Sequence, residues 1–336
     1  MNGGGSIQQA VLLVGGLGTR LRPLTYKLPK ALIPVANLPL IAFEIIPLVR
    51  AGVRQIIFAI GYKADLLRDH LGDGSDWGAE FIYVEESEPL DTAGAIANVA
   101  DHLTGDFFCC NGDMIYDVDL TAFAADHLRR QALITYCLRR TPYIEHFGLI
   151  QWDDDSRVTA FKEKVPHDET GRNTVNSGFY LMSPEVLDYI PRGEKYSSER
   201  QLFPDLLGRG LPLYAHLPAR EGYWADVGRF ETYLQANGDI LEGCLSWFTP
   251  SVRTETSGAS VSSCVDIQED AIIGEGVTLG PRVSIGAGAV IDPGARIEDS
   301  IIWPGSHIGA GAVIANSIIA GATVAPDACL TDEVIV

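Results

Sequence analysis

Long apolar runs are missing from this chain: no segment of its 336 residues approaches the roughly 18 consecutive apolar residues of a membrane span. Positive charge is scarce. Only 25 lysines and arginines face 44 aspartates and glutamates, and the net charge of -19 argues against a general binder of nucleic acid or membrane surface, which needs a basic face. Any anionic ligand must therefore be met by a local cluster of cations. Cysteine is sparse and unpatterned. Cys109, Cys110, Cys137, Cys244, Cys264 and Cys329 form neither C-x-x-C spacing nor a clustered framework, so they read as buried small hydrophobes. The opening Met-Asn-Gly-Gly-Gly-Ser lacks a charged stretch leading into an apolar one, and a cytoplasmic location is the default expectation. What the chain does have is 46% hydrophobic residues over a length that predicts two domains with a large buried core.

Against this acidic background the stretch Val14 to Pro34 stands out. An apolar run, Ala10 to Val14, reads as a buried parallel strand, and Gly15, Gly16 and Gly18 free the following backbone to aim several N–H groups at one anion. Arg20, Arg22, Lys27 and Lys30 add mobile positive charge. Arginine meets phosphate oxygens as a planar fork and lysine as a point charge, a mixture suited to a polyphosphate. The glycines match neither G-x-G-x-x-G nor a P-loop, since no Gly-Lys-Ser/Thr closes them. Taken alone they also fit a tight strand-to-helix turn.

From Ala10 to about Tyr233 short apolar runs alternate with amphipathic ones, the pattern of a parallel or mixed sheet covered by helices; the expected class is a Rossmann-like α/β domain with a mixed sheet and helices on both faces. The strands are expected at Ala10–Val14, Gln55–Ile60, Phe81–Val84, Phe107–Cys110, Leu133–Leu138 and Gly178–Met182. Helices are expected at Leu40–Ala51, Ala64–Leu71, Thr92–Asp101 and Leu120–Arg130. Chemistry should then gather at strand C-terminal ends, where the glycine loop and the Asn111-Gly112-Asp113 turn both fall. Past about Val265 the pattern changes. Ile273, Leu279, Ile285, Ile291 and Ile297 recur every six residues, the period resumes through Ile302, Ile308 and Ile314, and Ile318, Val324 and Leu330 follow. This hexapeptide repeat predicts a parallel β-helix, with register breaks after Ile297 and Ile314. The expected division is a catalytic domain over 1–240, a linker over 241–264 and a β-helix over 265–336. His307 is the only histidine of the repeat; it is expected as a surface rung residue, because acyl transfer would need a second base that the region lacks.

Gly-Gly-x-Gly-Thr-Arg-Leu-Arg-Pro-Leu-Thr followed by Pro29-Lys30 closely resembles the signature of the sugar-1-phosphate nucleotidylyltransferases, and the later motifs follow in family order over nearly the whole chain. The resemblance implies transfer of a nucleoside monophosphate from a nucleoside triphosphate to a sugar 1-phosphate, with Mg²⁺ as cofactor and a left-handed β-helix through which the chain forms a homo-oligomer. Such transfer needs positioning and charge neutralisation and no side-chain nucleophile. Gly15, Gly16, Gly18, Thr19, Arg20 and Lys30 would hold the triphosphate. Asp113 and Asp226 match the aspartates that hold the metal, although Asn-Gly-Asp is also a common turn. Lys164 would meet the sugar phosphate, and Glu163, Asn176, Gly178 and Gly148 the sugar, although Lys162-Glu163-Lys164 also fits a solvated strand edge.

Glu-Pro-Leu-Asp-Thr-Ala-Gly, residues 88 to 94, resembles the family's Glu-Pro-Leu-Gly-Thr-Ala-Gly, which places Pro89, Thr92, Ala93 and Gly94 beside the base and ribose. A carboxylate accepts from both N1–H and N2–H of guanine, whereas uracil and thymine suit an amide, so Glu86 in the base-reading position would favour GTP. Glu85, Glu86 and Glu88 equally fit a solvated acidic loop. Asp91 in place of glycine, and Val165 between Lys164 and Pro166, depart from the family pattern. The chain looks most like the mannose-1-phosphate guanylyltransferase branch. Related sugar or cyclitol phosphates, and adenylyl, uridylyl or thymidylyl transfer to glucose 1-phosphate, stay open. So does a non-catalytic regulatory subunit that senses nucleotide sugars.

Overall fold

The computed structural model describes residues 7–61, 63–251 and 258–336. Two compact units share the chain, and neither is contiguous: one comprises Met1–Leu17 and Ile41–Trp224, the other Gly18–Leu40 and Ala225–Val336.

The first unit is built on a nine-stranded mixed sheet. Its strands are β1 (Gln9–Val14), β2 (Gln55–Ile60), β3 (Glu80–Glu85), β4 (Phe107–Asn111), β5 (Ile134–Arg140), β6 (Gly148–Trp152), β7 (Val158–Glu163), β8 (Thr174–Met182) and β9 (Leu213–His216). The order across the main path is β7-β6-β8-β4-β1-β2-β3, with β5 between β8 and β9. β1 runs parallel to β2 and β4, Val14 pairing with Ile60 and Leu13 with Asn111, and β3 runs parallel to β2. β8 is antiparallel to β4, β5 and β6. A central strand buried on both faces needs no alternation, which is why β1, β2 and β4 read as near-continuous apolar runs. The helices of this unit are α1 (Ala42–Arg50), α2 (Ala64–Leu71), α3 (Asp91–Asn98), α4 (Leu120–Arg130) and α5 (Phe203–Gly208).

The expected strands and helices are all present, with ends moved by a few residues. β6, β7 and β9 carry weaker signals: they lie toward the margins of the sheet, where polar residues such as Gln151, Lys162 and His216 interrupt the apolar pattern.

The second unit joins α6 (Phe230–Leu241) and the segment Gly18–Leu40 to a parallel β-helix of three sheets. Leu279 pairs with Ile297 eighteen residues on, Ile297 with Ile314 seventeen on, and Ile314 with Leu330 sixteen on. The coil therefore shortens at the expected breaks. Shortening changes one inward residue: Ile319 pairs with Ile302 and joins the core cluster where Ile318 had been expected. Leu279, Ile285, Ile291, Ile297, Ile308 and Ile314 form the same core at 1% exposure or less. Each such side chain contributes about 2 kcal/mol by leaving water. His307 is a surface rung residue, its Nε2 2.9 Å from Asp292 Oδ2. The cysteines divide: Cys109, Cys110 and Cys137 are buried, but Cys244 and Cys264 are half-buried and Cys329 is exposed. Burial pushes the Cys137 thiol up to about 12, as expected for an inert core thiol. Among the described residues no helix is long and apolar enough to cross a membrane.

Candidate active site

Parallel pairing brings the C-terminal ends of β1, β2 and β4 to one edge of the first unit. Gly112 is required there: a Cβ on it would stand 2.2 Å from Val14 Cγ1, while its N–H donates to the Leu13 carbonyl at 3.0 Å. Gly15 and Asp113 therefore leave the sheet on adjoining strands, and Asp113 is half-buried at the turn.

Glu86 separates itself from its acidic neighbours. Glu85 and Glu88 are exposed; Glu86 is half-buried, its Oε2 accepts from Leu90 N–H at 3.1 Å, and its Oε1 lies 3.4 Å from where a Gly15 Cβ would stand. Burial raises its pKa above the ordinary carboxylate value, the Leu90 N–H opposes that rise, and the charge of Asp91 adds to it. Asp91 adopts φ 62, the left-handed region, and its Oδ1 accepts from Thr92 N–H at 2.9 Å. That conformation is the physical reason glycine suits this position, and aspartate is among the few residues that tolerate it. Beyond it the motif turns inward. The Thr92 hydroxyl accepts from Ser198 N–H at 2.8 Å, and the N–H groups of Ala93 and Gly94 both donate to the Tyr196 carbonyl at 2.9 Å. Pro89 stays exposed.

β6, β7 and β8 bring the expected sugar residues together. Gly148 pairs with Glu163, whose Oε2 lies 3.3 Å from a Cβ built on Gly148. Lys164 donates its N–H to the Phe147 carbonyl at 3.2 Å, and its Nζ lies 3.9 Å from Glu163 Oε1 with both side chains exposed. Val165 joins Phe147 against a small core of Ile144, Leu149 and Val175, which accounts for the extra residue before Pro166 by packing. β8 bulges between Asn176 and Tyr180. Asn176 braces the bulge, accepting from Gly178 N–H at 3.1 Å and donating to Tyr180 OH at 2.8 Å. Gly178, at φ 77, lies so close to Asn111 that a Cβ would stand 2.7 Å from Asn111 Nδ2.

Two residues of this wall were not singled out by motif. Trp224 donates from Nε1 to the Ser177 carbonyl at 3.1 Å and packs edge-on against Phe147 with ring centroids 5.1 Å apart. Arg139 lies over the Trp224 ring at 5.3 Å and donates to the Gly222 carbonyl at 3.1 Å. Trp224 was within reach of sequence reasoning, since it sits two residues before Asp226. Arg139 carries no local signal.

The second unit holds the remaining charges. Gly18, at φ 59, opens a short turn over Thr19–Leu21, and its carbonyl accepts from the Thr25 hydroxyl at 2.9 Å. Lys30 Nζ lies 4.0 Å from Asp226 Oδ1. Arg20 Nη2 and Asp226 Oδ1 lie 3.0 and 2.8 Å from where a Gly228 Cβ would stand, so Arg20, Lys30 and Asp226 form one cluster. Thr19 is exposed beside it. The other two cations of the segment are differently engaged: Lys27 Nζ donates to the Ala320 carbonyl at 2.8 Å, and the Arg22 guanidinium lies over the Tyr26 ring at 5.1 Å. Lys27 was expected as mobile charge. The structure holds it to the β-helix because a carbonyl at a coil corner offers a lone pair that no sheet bond uses.

Among the described residues no group of three or more His, Cys, Asp or Glu could hold a metal ion. A divalent ion here would be one that takes one or two carboxylates and completes its shell with phosphate oxygens and water, as Mg²⁺ does. Asp113 in the first unit and Asp226 in the second each offer a hard oxygen donor of the kind such an ion takes. A cavity of about 410 Å³ lies elsewhere, lined by Phe230, Leu234, Arg282, Asp299, Asn316 and Asp332, none of them a candidate site residue.

The pattern of the Nucleotidyl transferase family matches residues 9–243, and that of the GMPPB C-terminal domain residues 261–336. The chain is 36% identical over 307 residues to a mannose-1-phosphate guanylyltransferase of Mycobacterium tuberculosis, covering 91% of this chain and 82% of that one. It is 34% identical over 317 residues to a probable mannose-1-phosphate guanylyltransferase 2 of Oryza sativa subsp. japonica, covering 93% and 85%. A UTP–glucose-1-phosphate uridylyltransferase of Synechocystis is 29% identical over 341 residues, covering 93% and 87%.

Proposed function

The chain belongs to the nucleotidyl transferase family and is a sugar-1-phosphate nucleotidyltransferase, and on that premise we propose that it transfers the guanylyl group of GTP to mannose 1-phosphate. The observation that carries the choice of base is the half-buried Glu86 carboxylate beside Gly15, set apart from the exposed Glu85 and Glu88. Guanine presents two adjacent N–H groups to such a carboxylate, and uracil presents one. The names of the relatives support the choice of sugar.

In the proposed reaction an oxygen of mannose 1-phosphate attacks the α-phosphorus in line. The bond from that phosphorus to the oxygen bridging to the β-phosphorus breaks, and pyrophosphate leaves with the electron pair. The protein's task is to align these groups and to offset their charge. Backbone N–H groups of the Gly15–Thr19 loop, Arg20 and Lys30 hold the triphosphate. Lys164 presents the attacking phosphate; Gly148, Glu163, Asn176 and Gly178 orient the sugar. Asn176 does so mainly through Gly178, whose bulge it braces. Nucleotidyltransferases of this family generally use a divalent metal ion. We assign it as Mg²⁺ on Asp113 and Asp226, where it would neutralise phosphate charge and fix the α-phosphate for attack. The proposal extends to assembly as a homo-oligomer through the β-helix, because an unpaired coil edge favours a partner strand.

The test is a matrix of nucleoside triphosphates against sugar 1-phosphates, read by pyrophosphate release, for the wild-type chain and Glu86→Gln. GTP with mannose 1-phosphate should give the highest kcat/KM, and Glu86→Gln should erode the preference for GTP over UTP by about tenfold or more. Faster turnover of UTP with glucose 1-phosphate, or a nucleotide preference unmoved by Glu86→Gln, would remove the guanylyl reading.

A further inference from the structure

The segment Gly18–Leu40 carries Arg20 and Lys30, yet its backbone is anchored in the β-helix unit. Pro34–Val35 and Leu38–Pro39 form a tight hairpin whose turn residues, Ala36 and Asn37, both adopt left-handed conformations at φ 42 and 60. The Asn37 side-chain amide is spent on the coils. Nδ2 donates to Asp266 Oδ2 at 2.6 Å, to the Ile285 carbonyl at 3.0 Å and to the Asp266 carbonyl at 3.2 Å. Beside it the Ala36 N–H donates at 2.9 Å to Asn237 Oδ1, which also accepts from the Ser284 hydroxyl at 2.7 Å. Tyr233 OH donates to the Pro34 carbonyl and accepts from Trp303 Nε1 at 3.0 Å. Lys27 adds its bond to the Ala320 carbonyl.

The bonds of the hairpin are well protected, while Lys27 is exposed. Tyr233, Asn237, Asp266, Ser284 and Trp303 are all at 4% exposure or less. From the hairpin the chain runs back through Ile33 and Leu32, both buried, to the short turn that begins at Lys30. A buried polar network with its partners in place fixes one geometry, and losing one partner costs the desolvation of the others. Such rigidity next to charged groups is what alignment of a triphosphate demands, since small misplacements cost large factors in rate.

We propose that the β-helix is a working part of the nucleotide site: Asn37 and Lys27 are positioning residues that clamp the Gly18–Leu40 segment, and with it Arg20 and Lys30, to the coils. The inference rests on the reading that Arg20 and Lys30 hold the triphosphate. Asn37 is the informative member, because it has no charge to offer a phosphate and its donor group is already committed to three acceptors. Lys27 is a weaker probe, since losing its charge would weaken nucleotide binding under either role.

The experiment compares full-length Asn37→Gly, Asp266→Asn, the double variant and Arg20→Gln. Glycine keeps the left-handed backbone of Asn37 without strain. In Asp266→Asn the single amide oxygen stays on the Ser251 N–H, which the backbone fixes, and an N–H donor then faces the Asn37 amide where a carboxylate oxygen now accepts from it, so the Asn37 link is the one lost. Either single change should raise the KM for the nucleoside triphosphate about tenfold while the KM for the sugar phosphate stays within about twofold. The double variant should be no worse than the worse single one, because both remove the same link. Nucleotide affinity measured by calorimetry without sugar phosphate should fall in parallel. Unchanged nucleotide KM and affinity in folded variants, or equal changes for both substrates, would overturn the clamp. If Asn37→Gly loses cooperative unfolding, Asp266→Asn decides. Arg20→Gln separates the two layers. Nucleotide affinity unmoved by Arg20→Gln means the triphosphate assignment fails; affinity weakened by Arg20→Gln and not by Asn37→Gly means only the clamp fails.

Discussion

Asp113 and Asp226 illustrate how much a single carboxylate can be asked to do in a chain that is already strongly acidic. Replacing either with asparagine keeps size and hydrogen bonding but removes a hard anionic ligand. Turnover should fall by about 10²–10³-fold with little change in thermal unfolding. Pyrophosphate release and a melting curve on the same preparation check both halves of that expectation; near-normal Mg²⁺-dependent turnover in either variant would end the metal assignment. His127 makes a prediction of another kind. Its Nδ1 lies 2.8 Å from the Thr135 hydroxyl, Asp106 Oδ2 stands 3.7 Å from Nε2, its side chain is 1% exposed, and burial pushes its pKa down to about 4 against the opposing charge of Asp126. The unfolded chain takes up this proton near pH 6.5 and the folded protein only near 4. Stability should therefore be lost as pH falls through that window, by up to about 3 kcal/mol for the full shift. Urea midpoints at several pH values should show the slope, and His127→Gln should flatten it.

Among the elements, β8 shows how an irregular strand can be more informative than a regular one. The bulge between Asn176 and Tyr180 turns Gly178 toward Asn111, which sits two residues before Asp113. Gly178→Ala would put a Cβ into that contact at a backbone conformation alanine disfavours, and should cost about 1–3 kcal/mol with a matching fall in melting temperature. An unchanged melting temperature would mean that the bulge relaxes freely. The β-helix shows the contrasting case, in which regularity makes the element legible. A six-residue period is an apolar residue facing inward once per short strand, so the period alone assigns Leu279, Ile285 and Ile291 to the interior. It does not choose Ile319 over Ile318. Both are isoleucine, and only the shortened coil decides which one pairs with Ile302.

At the scale of the whole molecule, the β-helix is proposed both to assemble the chain and to brace its nucleotide segment, and the two roles need separating. Removing the coils would strip Asn37 of its partners along with any assembly surface, so assembly is better tested in the full chain. Thr331 ends Cys329–Thr331, the last strand of its sheet among the described residues, and is exposed. The wild-type chain should elute as an oligomer, and Thr331→Lys, which places a charge on the exposed side of that edge strand, should shift it toward monomer while circular dichroism is retained. A monomeric wild-type chain would end the assembly proposal.

Sequence alone determined the elements and named the candidate residue types they carry. Glycines at a strand exit, a run of four cations and a hexapeptide period are local patterns, and local patterns survive being read along a line. Tertiary structure decided which of those residues are committed elsewhere. It bound Lys27 to Ala320, set Glu86 apart from Glu85 and Glu88, laid Arg139 over Trp224 and placed Gly18–Leu40 with the coils. Glu86 is held by Leu90 four residues on; each of the other outcomes depends on a side chain finding a partner that is distant in the chain, and no periodicity or spacing records where that partner will be.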